Sequence, residues 1–229
     1  MMRLGRAVPW IAVLGILLPG VGLAQDLAAP STPTGVYPTR FRWGVNGALG
    51  YFSPAKAVDF GVSARFGAQL SDLLGLYADL GYVAGLGISG NVTNNSGSAT
   101  VSGVGFFHIA PMIEADLGTF FVAGGPMLAT GGWGQVTQGA DSAGNVQQYV
   151  VAAGGVMPGL DLRTGFTFGP VMPGERHGGF TLGIDVKLLL ATVTSVAQNA
   201  GPSGGSQSIS TGSRVLGVTP MLMLGYDAK

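Results

Sequence analysis

Strict alternation of residue type between Val58 and Ile88 constrains this chain more than any other feature of its sequence. Every second residue from Val58 to Leu70 is apolar, and the residues between them are polar, charged or glycine. A short polar turn interrupts the alternation, which then resumes from Leu74 to Ile88. Because successive side chains of a β-strand point to opposite faces of the sheet, the pattern predicts two strands joined in a hairpin.

The length of these two runs favours strands that cross a membrane. Soluble strands usually contain about 5 or 6 residues, whereas a tilted transmembrane strand needs ~9–11. Charged residues make up only 10% of the 229 residues, against roughly 25% in a typical soluble domain. Together with 41 glycines, this composition predicts a barrel whose exterior faces lipid.

Composition also argues against several other classes of protein. The chain has no cysteine, which excludes a disulfide scaffold and a thiolate metal site. Its formal net charge of zero gives no electrostatic reason to expect a nucleic-acid partner. The two histidines, His108 and His177, are far apart in the sequence, so a zinc site has little support. We therefore expect no metal and no cofactor.

The N-terminal residues have the organisation of a secretory signal peptide. Arg3 and Arg6 precede a short apolar core, and Gly22, Leu23 and Ala24 form a small-x-small cleavage site. An uncleaved membrane anchor is the alternative, but the core is short for a spanning helix. The proline-containing stretch that follows is predicted to be an extended linker. We expect a signal peptide at 1–24, a periplasmic linker at 25–39 and a β-barrel at 40–229.

The alternation recurs along the rest of the chain and predicts about eight strands. Turns are predicted at Ser53–Lys56 and Gly165–Gly179, and polar loops at Ser89–Thr100, Gly131–Gln148 and Ser195–Ser213. With a periplasmic N-terminus, the links on the periplasmic side are short or moderate, and three of the four external links are long and polar. The first external link, Ser53–Lys56, is short and departs from this trend. Both chain termini are predicted to be periplasmic.

From Arg40 to Tyr226 the chain resembles a small bacterial outer-membrane barrel of the OmpA/OmpX-like type. The resemblance depends on strand parity, on the asymmetry of the links and on the signal peptide. It implies a closed, antiparallel, up-and-down transmembrane β-barrel of about eight strands, surrounded by outer-membrane lipid and inserted by the outer-membrane assembly machinery. One feature departs from the type, because Tyr226 is followed by Asp227, Ala228 and Lys229 instead of ending the chain on an aromatic residue.

Charged residues on the polar faces of the strands are the candidate functional residues. An eight-stranded barrel is only wide enough for side chains to fill its interior, and buried charges are retained when they are paired. We therefore predict a structural charge network that plugs the lumen, with a narrow, gated polar path as the alternative. The network comprises Arg42, Arg65, Asp79, Glu114, Asp161, Arg163, Asp185 and Lys187.

Two further motifs were weighed for chemistry. His108 lies on a polar strand face, but a hydrolase needs a nucleophile and an orienting carboxylate beside its histidine, and no nucleophile motif accompanies it. A hydrogen-bonded lumen histidine is the favoured interpretation. Gly85–Gly90 matches G-x-G-x-x-G, but no helix follows to hold a pyrophosphate, so a nucleotide site is rejected.

These features predict an integral outer-membrane barrel with a structural or surface-interaction role and no catalytic activity. A small pore or ligand conduit is the main alternative. A membrane-embedded lipid-modifying enzyme using His108 and a soluble secreted barrel are two further alternatives. The sequence does not identify a surface ligand.

Overall fold

A computed structural model describes residues 39–93, 96–140, 146–169, 178–199 and 206–228. These residues form eight antiparallel strands, each hydrogen-bonded to the next in sequence, and β8 pairs with β1 to close a barrel. This topology confirms the predicted fold class. The strands are β1 (Arg40–Phe52), β2 (Ala57–Gln69), β3 (Leu74–Thr93), β4 (Ser96–Leu117), β5 (Phe120–Ala140), β6 (Val146–Phe168), β7 (Gly178–Asn199) and β8 (Ser206–Ala228).

Some predicted features lie outside the described residues. The signal peptide at 1–24, the linker at 25–39 except Thr39, and His177 belong to this group, so they stay predictions. Within the described ranges, no helix is long and apolar enough to cross a membrane.

The alternating residues divide between the outside and the inside of the barrel. On β1, Phe41 and Leu49 are exposed on the outer surface, whereas Arg42 and Asn46 between them are buried inside. The same division holds on the other strands, so the outer wall is apolar and the charged residues point inward. A soluble barrel would need the reverse arrangement, because its exterior faces water. The structure therefore does not support the soluble secreted barrel.

The three predicted polar loops are mostly strand, which corrects the sequence-based boundaries. Residues 89–93 and 96–100 belong to β3 and β4, which pair from Leu74 with Ala115 to Thr93 with Ser96. In the second segment, β5 continues to Ala140 and β6 begins at Val146. In the third, β7 continues to Asn199 and β8 begins at Ser206. The predicted turn at 165–179 is also shorter, because β6 continues to Phe168 and β7 begins at Gly178. Backbone pairing needs no apolar alternation, so strand segments that extend beyond the apolar wall carry no period-two signal.

The first hairpin is shorter than the rest of the wall. Pairing between β2 and β3 ends at Val58 with Leu86, and pairing between β1 and β8 ends at Gly50 with Met221. Beyond these points β3 is paired only with β4 within the described residues, and β8 is paired with β7 and accepts one further backbone bond, at Val218. The resulting gap in the wall, bounded by residues 87–93, residues 206–217 and the turn at 53–56, is called the notch below.

The turn that joins β1 and β2 leans across the mouth of the barrel. The Ser53 amide donates to the Val218 carbonyl over 3.1 Å, and the Gln135 side-chain amide donates to the Pro54 carbonyl over 2.9 Å. Gln135 belongs to β5, which lies on the opposite side of the eight-stranded ring from β1. A hydrogen bond between opposite walls requires the turn to span the opening, and Ala55 is correspondingly buried.

Candidate functional site: the charged barrel interior

All eight residues of the predicted charge network point into the barrel and are buried. Each one occupies the inward parity of its strand, as the alternation predicted. The structure distributes them between two groups of ion pairs. The Arg42 cluster comprises Arg42, Arg65, Glu114, Asp116 and Asp227, and the Arg163 cluster comprises Asp79, His108, Asp161, Arg163, Asp185 and Lys187.

In the Arg42 cluster, two guanidinium groups share three carboxylates. Arg42 is paired with Glu114, and its Nη2 lies 2.5 Å from Asp227 Oδ2. Arg65 Nη1 lies 3.4 Å from Glu114 Oε2, and Arg65 Nε lies 3.7 Å from Asp227 Oδ1. The Tyr77 ring lies beside both guanidinium carbons, at 5.1 and 5.4 Å. These contacts join strands β1, β2, β3, β4 and β8 across the interior.

The Arg163 cluster is built around a forked contact with Asp79. Arg163 Nη1 and Nη2 donate to the two Asp79 oxygens over 2.8 and 2.5 Å, which is the strong bidentate arrangement for these groups. Arg163 also lies 3.2 Å from Asp161 Oδ2 and 3.1 Å from Asp185 Oδ2. Lys187 Nζ lies 2.7 Å from Asp161 and 3.0 Å from Asp185. Two cations therefore hold three carboxylates.

The Arg163 cluster contains the best arrangement of potential metal ligands in the described part of the chain. Asp79, His108 and Asp161 offer ligand atoms that lie within 4.8 Å of one another. However, Arg163 donates to both carboxylates, and Lys187 donates to Asp161. A divalent cation would have to displace or repel two cations that already neutralise these ligands, so the residues do not fit a metal site.

His108 forms a hydrogen bond with the carboxylate of Asp79, and not with a nucleophile. Its Nε2 lies 3.0 Å from Asp79 Oδ2; since a carboxylate held by Arg163 only accepts, Nε2 donates this bond. The buried Nδ1 has no hydrogen-bond partner among the described residues. His108 lines a cavity of about 10 Å³ together with Asn46, Ser63 and Lys187, about enough space for one water molecule. No room for a lipid substrate adjoins the imidazole there.

Glycines make room for these large polar side chains on the inner face. A Cβ atom at Gly81 would collide with the His108 imidazole, and one at Gly75 would lie 2.6 Å from Arg42 Nη1. Both glycines belong to β3, whose inward face also carries Asp79. Residues Gly85–Gly90 lie in the same strand, so the sequence that matched the nucleotide motif is an extended segment and not a phosphate-binding turn.

An apolar layer fills the interior nearer the turn at 53–56. Its aromatic centre consists of Phe52, whose ring centroid lies 6.5 Å from that of Phe106 and 6.2 Å from that of Trp133. Val83 and Leu189 are buried in the same cluster. Asp59, also fully buried, accepts a hydrogen bond from the Thr219 hydroxyl. The two ends of the interior thus differ in chemistry.

Sequence reasoning omitted three buried carboxylates. Asp116 accepts from the Gln69 amide over 2.8 Å and has the parity of Glu114, so alternation could have included it. Asp59 likewise has the inward parity of Arg65. Asp227 was interpreted as part of a tail after Tyr226, but it is the last inward residue of β8 and contacts Arg42. Extending the alternation by one residue would have found it.

Comparisons with known proteins concern the backbone of the barrel. No protein-family model matches the chain, and no curated protein matches it. Among solved structures, Neisserial surface protein A is similar with 12% sequence identity and a TM-score of 0.36, over 84% of this chain and 99% of that one. Ail of Yersinia pestis, solved with the heparin analogue sucrose octasulfate, has 11% identity and a TM-score of 0.31, over 82% and 97%. We draw no functional conclusion from likeness of this extent.

Proposed function

We propose that this protein is an integral barrel of the bacterial outer membrane with a closed interior, no catalytic activity and a role at the cell surface. Both ends of the barrel chain lie on the periplasmic side, and the turn at 53–56 lies on the external side. Outer-membrane lipid surrounds the wall, and the outer-membrane assembly machinery inserts it after the signal peptide is removed near Ala24.

The apolar outer wall is the observation that carries this proposal. Outward residues such as Phe41, Leu49, Phe180 and Leu222 are more than half exposed, which water would penalise at about 25 cal/mol per Å² of apolar surface. From Phe41 to Tyr51, β1 extends about 34 Å, or about 26 Å along the axis of a barrel whose strands tilt by about 40°. This height matches the ~25 Å apolar band of outer-membrane barrels.

A closed ring is also the form that a sheet must take in hydrocarbon. An unpaired backbone group there has no water to bond, so every strand needs two neighbours. At the level of the first hairpin, each of the eight strands has two neighbours. The wall loses this property at the notch, which lies beyond the apolar part of β1 and so at the level of the lipid headgroups on this proposal, where water can reach its unpaired edges.

The packing of the interior supports a closed lumen. The Arg42 and Arg163 clusters, the apolar layer and the turn across the mouth follow one another between the two ends of the barrel. The cavity lined by His108 has space for about one water molecule. A barrel filled in this way leaves the protruding parts of β3–β8 as the surface available to partners, where the unpaired edges of β3 and β8 can accept hydrogen bonds from another strand or from water.

The absence of cysteine makes the closed lumen directly testable by labelling. Cysteine substituted for the buried Ala110, inside β4, should react with a water-soluble maleimide on the order of 100-fold more slowly than cysteine substituted for the exposed Lys56. The protein is refolded in detergent, and folding is verified by a shift in gel mobility on heating. Equal reaction rates in the folded protein would contradict a closed interior.

Conductance across a planar lipid bilayer separates the closed barrel from a pore. Wild-type protein that shows the gel shift should give no steady single-channel conductance, because no continuous water path passes the apolar layer. Steady conductance would replace the proposed function with that of a small pore. Absence of both the gel shift and a detergent requirement would contradict the membrane barrel itself.

A further inference from the structure

Two exposed cations flank the notch. Lys56 lies in the turn that forms its floor, and Arg214 lies on the β8 edge that forms one side. Neither forms an ion pair with any residue in the described part of the chain. Over the same residues, the exposed acid is Asp72, in the turn between β2 and β3 at the opposite rim. The rim beside the notch is therefore positively charged.

Arg214 lies at the border of the apolar outer wall. The outward residues of β8 below it are Leu216, Val218, Pro220, Leu222 and Leu224. Its partner on β7, Thr192, is likewise the first polar outward residue after Leu190. The level at which an apolar wall gives way to polar residues is the level of lipid headgroups in the surrounding membrane.

Lys56 has an unusual backbone conformation for its residue type. Its φ is 50°, and it is the one non-glycine residue with positive φ among those described. Glycine or asparagine would adopt this left-handed conformation at lower cost. The backbone of Lys56 is therefore strained. Strained residues concentrate at functional sites, which indicates a function for its side chain.

The other side of the notch is the most exposed apolar surface of the wall. Leu86 and Ile88, on the outward face of β3, are 74% and 85% exposed, the highest values among the large described hydrophobic residues. The cause is the end of β2, because Ala57 and Val58 are the last residues that lie beside this part of β3. An exposed apolar surface thus begins where the neighbouring strand is missing.

We propose that the notch binds a phosphorylated lipid of the outer leaflet. The phosphate of its headgroup contacts Lys56 and Arg214, and one acyl chain lies along Leu86 and Ile88. Cations at the headgroup level and an adjoining exposed apolar surface match the two halves of such a lipid. This inference depends on the proposed function, since it requires that the barrel be inserted in a membrane.

The test uses the full barrel in nanodiscs of phosphatidylcholine that contain a minor fraction of phosphatidic acid. Native mass spectrometry after release from the nanodisc counts the phosphatidic acid that stays bound. Wild-type protein should retain it, and K56Q and R214Q should each lower its retention about fivefold. R40Q, which removes a cation at the opposite rim, serves as the matched control and should retain as much as wild type. L86S/I88S should release the lipid with both cations intact.

Each outcome decides the proposal. Equal retention by the K56Q/R214Q variant and by R40Q would overturn it, as would displacement of the lipid by inorganic phosphate at equal concentration, because the site would then be an anion site only. Wild-type protein that enters nanodiscs but retains no phosphatidic acid would overturn the lipid site alone. Failure to enter nanodiscs and to show the gel shift would overturn the proposed function together with this site.

Discussion

The Arg163 cluster and the apolar layer fill the same barrel by opposite means. The apolar layer depends on shape, so a smaller side chain there leaves a void but no unbalanced charge. The Arg163 cluster depends on charge balance, so loss of one cation leaves three buried carboxylates with a single cation to neutralise them. The comparison teaches that the ionic part of the interior tolerates single substitutions far less well than substitutions made in balanced pairs.

Replacing Arg163 with methionine should have the largest effect. The change leaves Asp79 without its forked partner and Lys187 alone with three carboxylates, which should lower the free energy of unfolding by about 3–5 kcal/mol. Urea unfolding in lipid vesicles measures the loss. Asp72→Asn, which changes an exposed charge, is the control and should stay within about 0.5 kcal/mol of wild type.

A second substitution in the Arg163 cluster tests whether unbalanced charge causes the loss of stability. Asp79→Asn combined with Arg163→Met should recover part of the lost stability, because it removes one of the unpaired charges. If Arg163→Met alone unfolds at the wild-type urea concentration, the ionic contacts contribute no more than packing does, and the contrast between the two regions fails.

Gly81→Ala should have an intermediate effect, since it tests shape inside the ionic region. The added Cβ would meet the His108 imidazole, and overpacking of this kind typically costs about 1–3 kcal/mol. Gly47→Ala, whose added Cβ has its nearest neighbour at 4.0 Å, should cost much less. His108→Ala should restore part of the stability in the Gly81→Ala background, because the contact of the added Cβ with the Val62 carbonyl oxygen remains; lack of any rescue would place the strain elsewhere.

Gln135→Ala should have the smallest effect of the three. It removes the hydrogen bond that holds the Pro54 carbonyl to the opposite wall, at a cost of about 0.5–1.5 kcal/mol. Hydrogen exchange of the Ser53 amide should become faster, while exchange in the middle of β1 is unchanged. Gln138→Ala, an exposed position on the same strand, is the control. Unchanged exchange at Ser53 would show that packing of Phe52 alone positions the turn.

Alternation together with the low content of charged residues predicted the barrel and the inward direction of its charged side chains. Period two assigns a face to every residue of a strand, so Arg42, Asp79 and Lys187 could be placed inside before any contact was known. Parity does not show which residues meet across the interior. The division into two clusters depends on strand stagger, and the forked contact between Arg163 and Asp79 joins strands that are not neighbours in the ring.

The strand ends that lie beyond the alternating segments could not be predicted from the sequence, and the reason is physical. Residues 89–100 and 131–148 are rich in glycine, serine, threonine and glutamine, and their composition does not alternate between apolar and polar residues. Backbone hydrogen bonds hold their described residues in the sheet whatever the side chains are, and contacts such as that between the Thr100 and Thr137 hydroxyls add to them. The link at Ser53–Lys56 is short, unlike the other three links predicted to be external. In the structure it is a turn that crosses the mouth of the barrel and is bonded to β8 and β5.

The pairing of β1 with β8 also sets the order in which this wall can be completed. Their ladder runs only from Trp43 with Ala228 to Gly50 with Met221, whereas β5 and β6 are paired from Phe120 with Phe166 to Ala140 with Val146. The shortest ladder thus joins the two strands most distant in sequence, whose meeting costs the most chain entropy. Seven strands can pair with a neighbour in sequence as they emerge, but the ring closes only with the last one. A chain that ends before β8 would leave one edge of β1 and one edge of β7 without a partner strand.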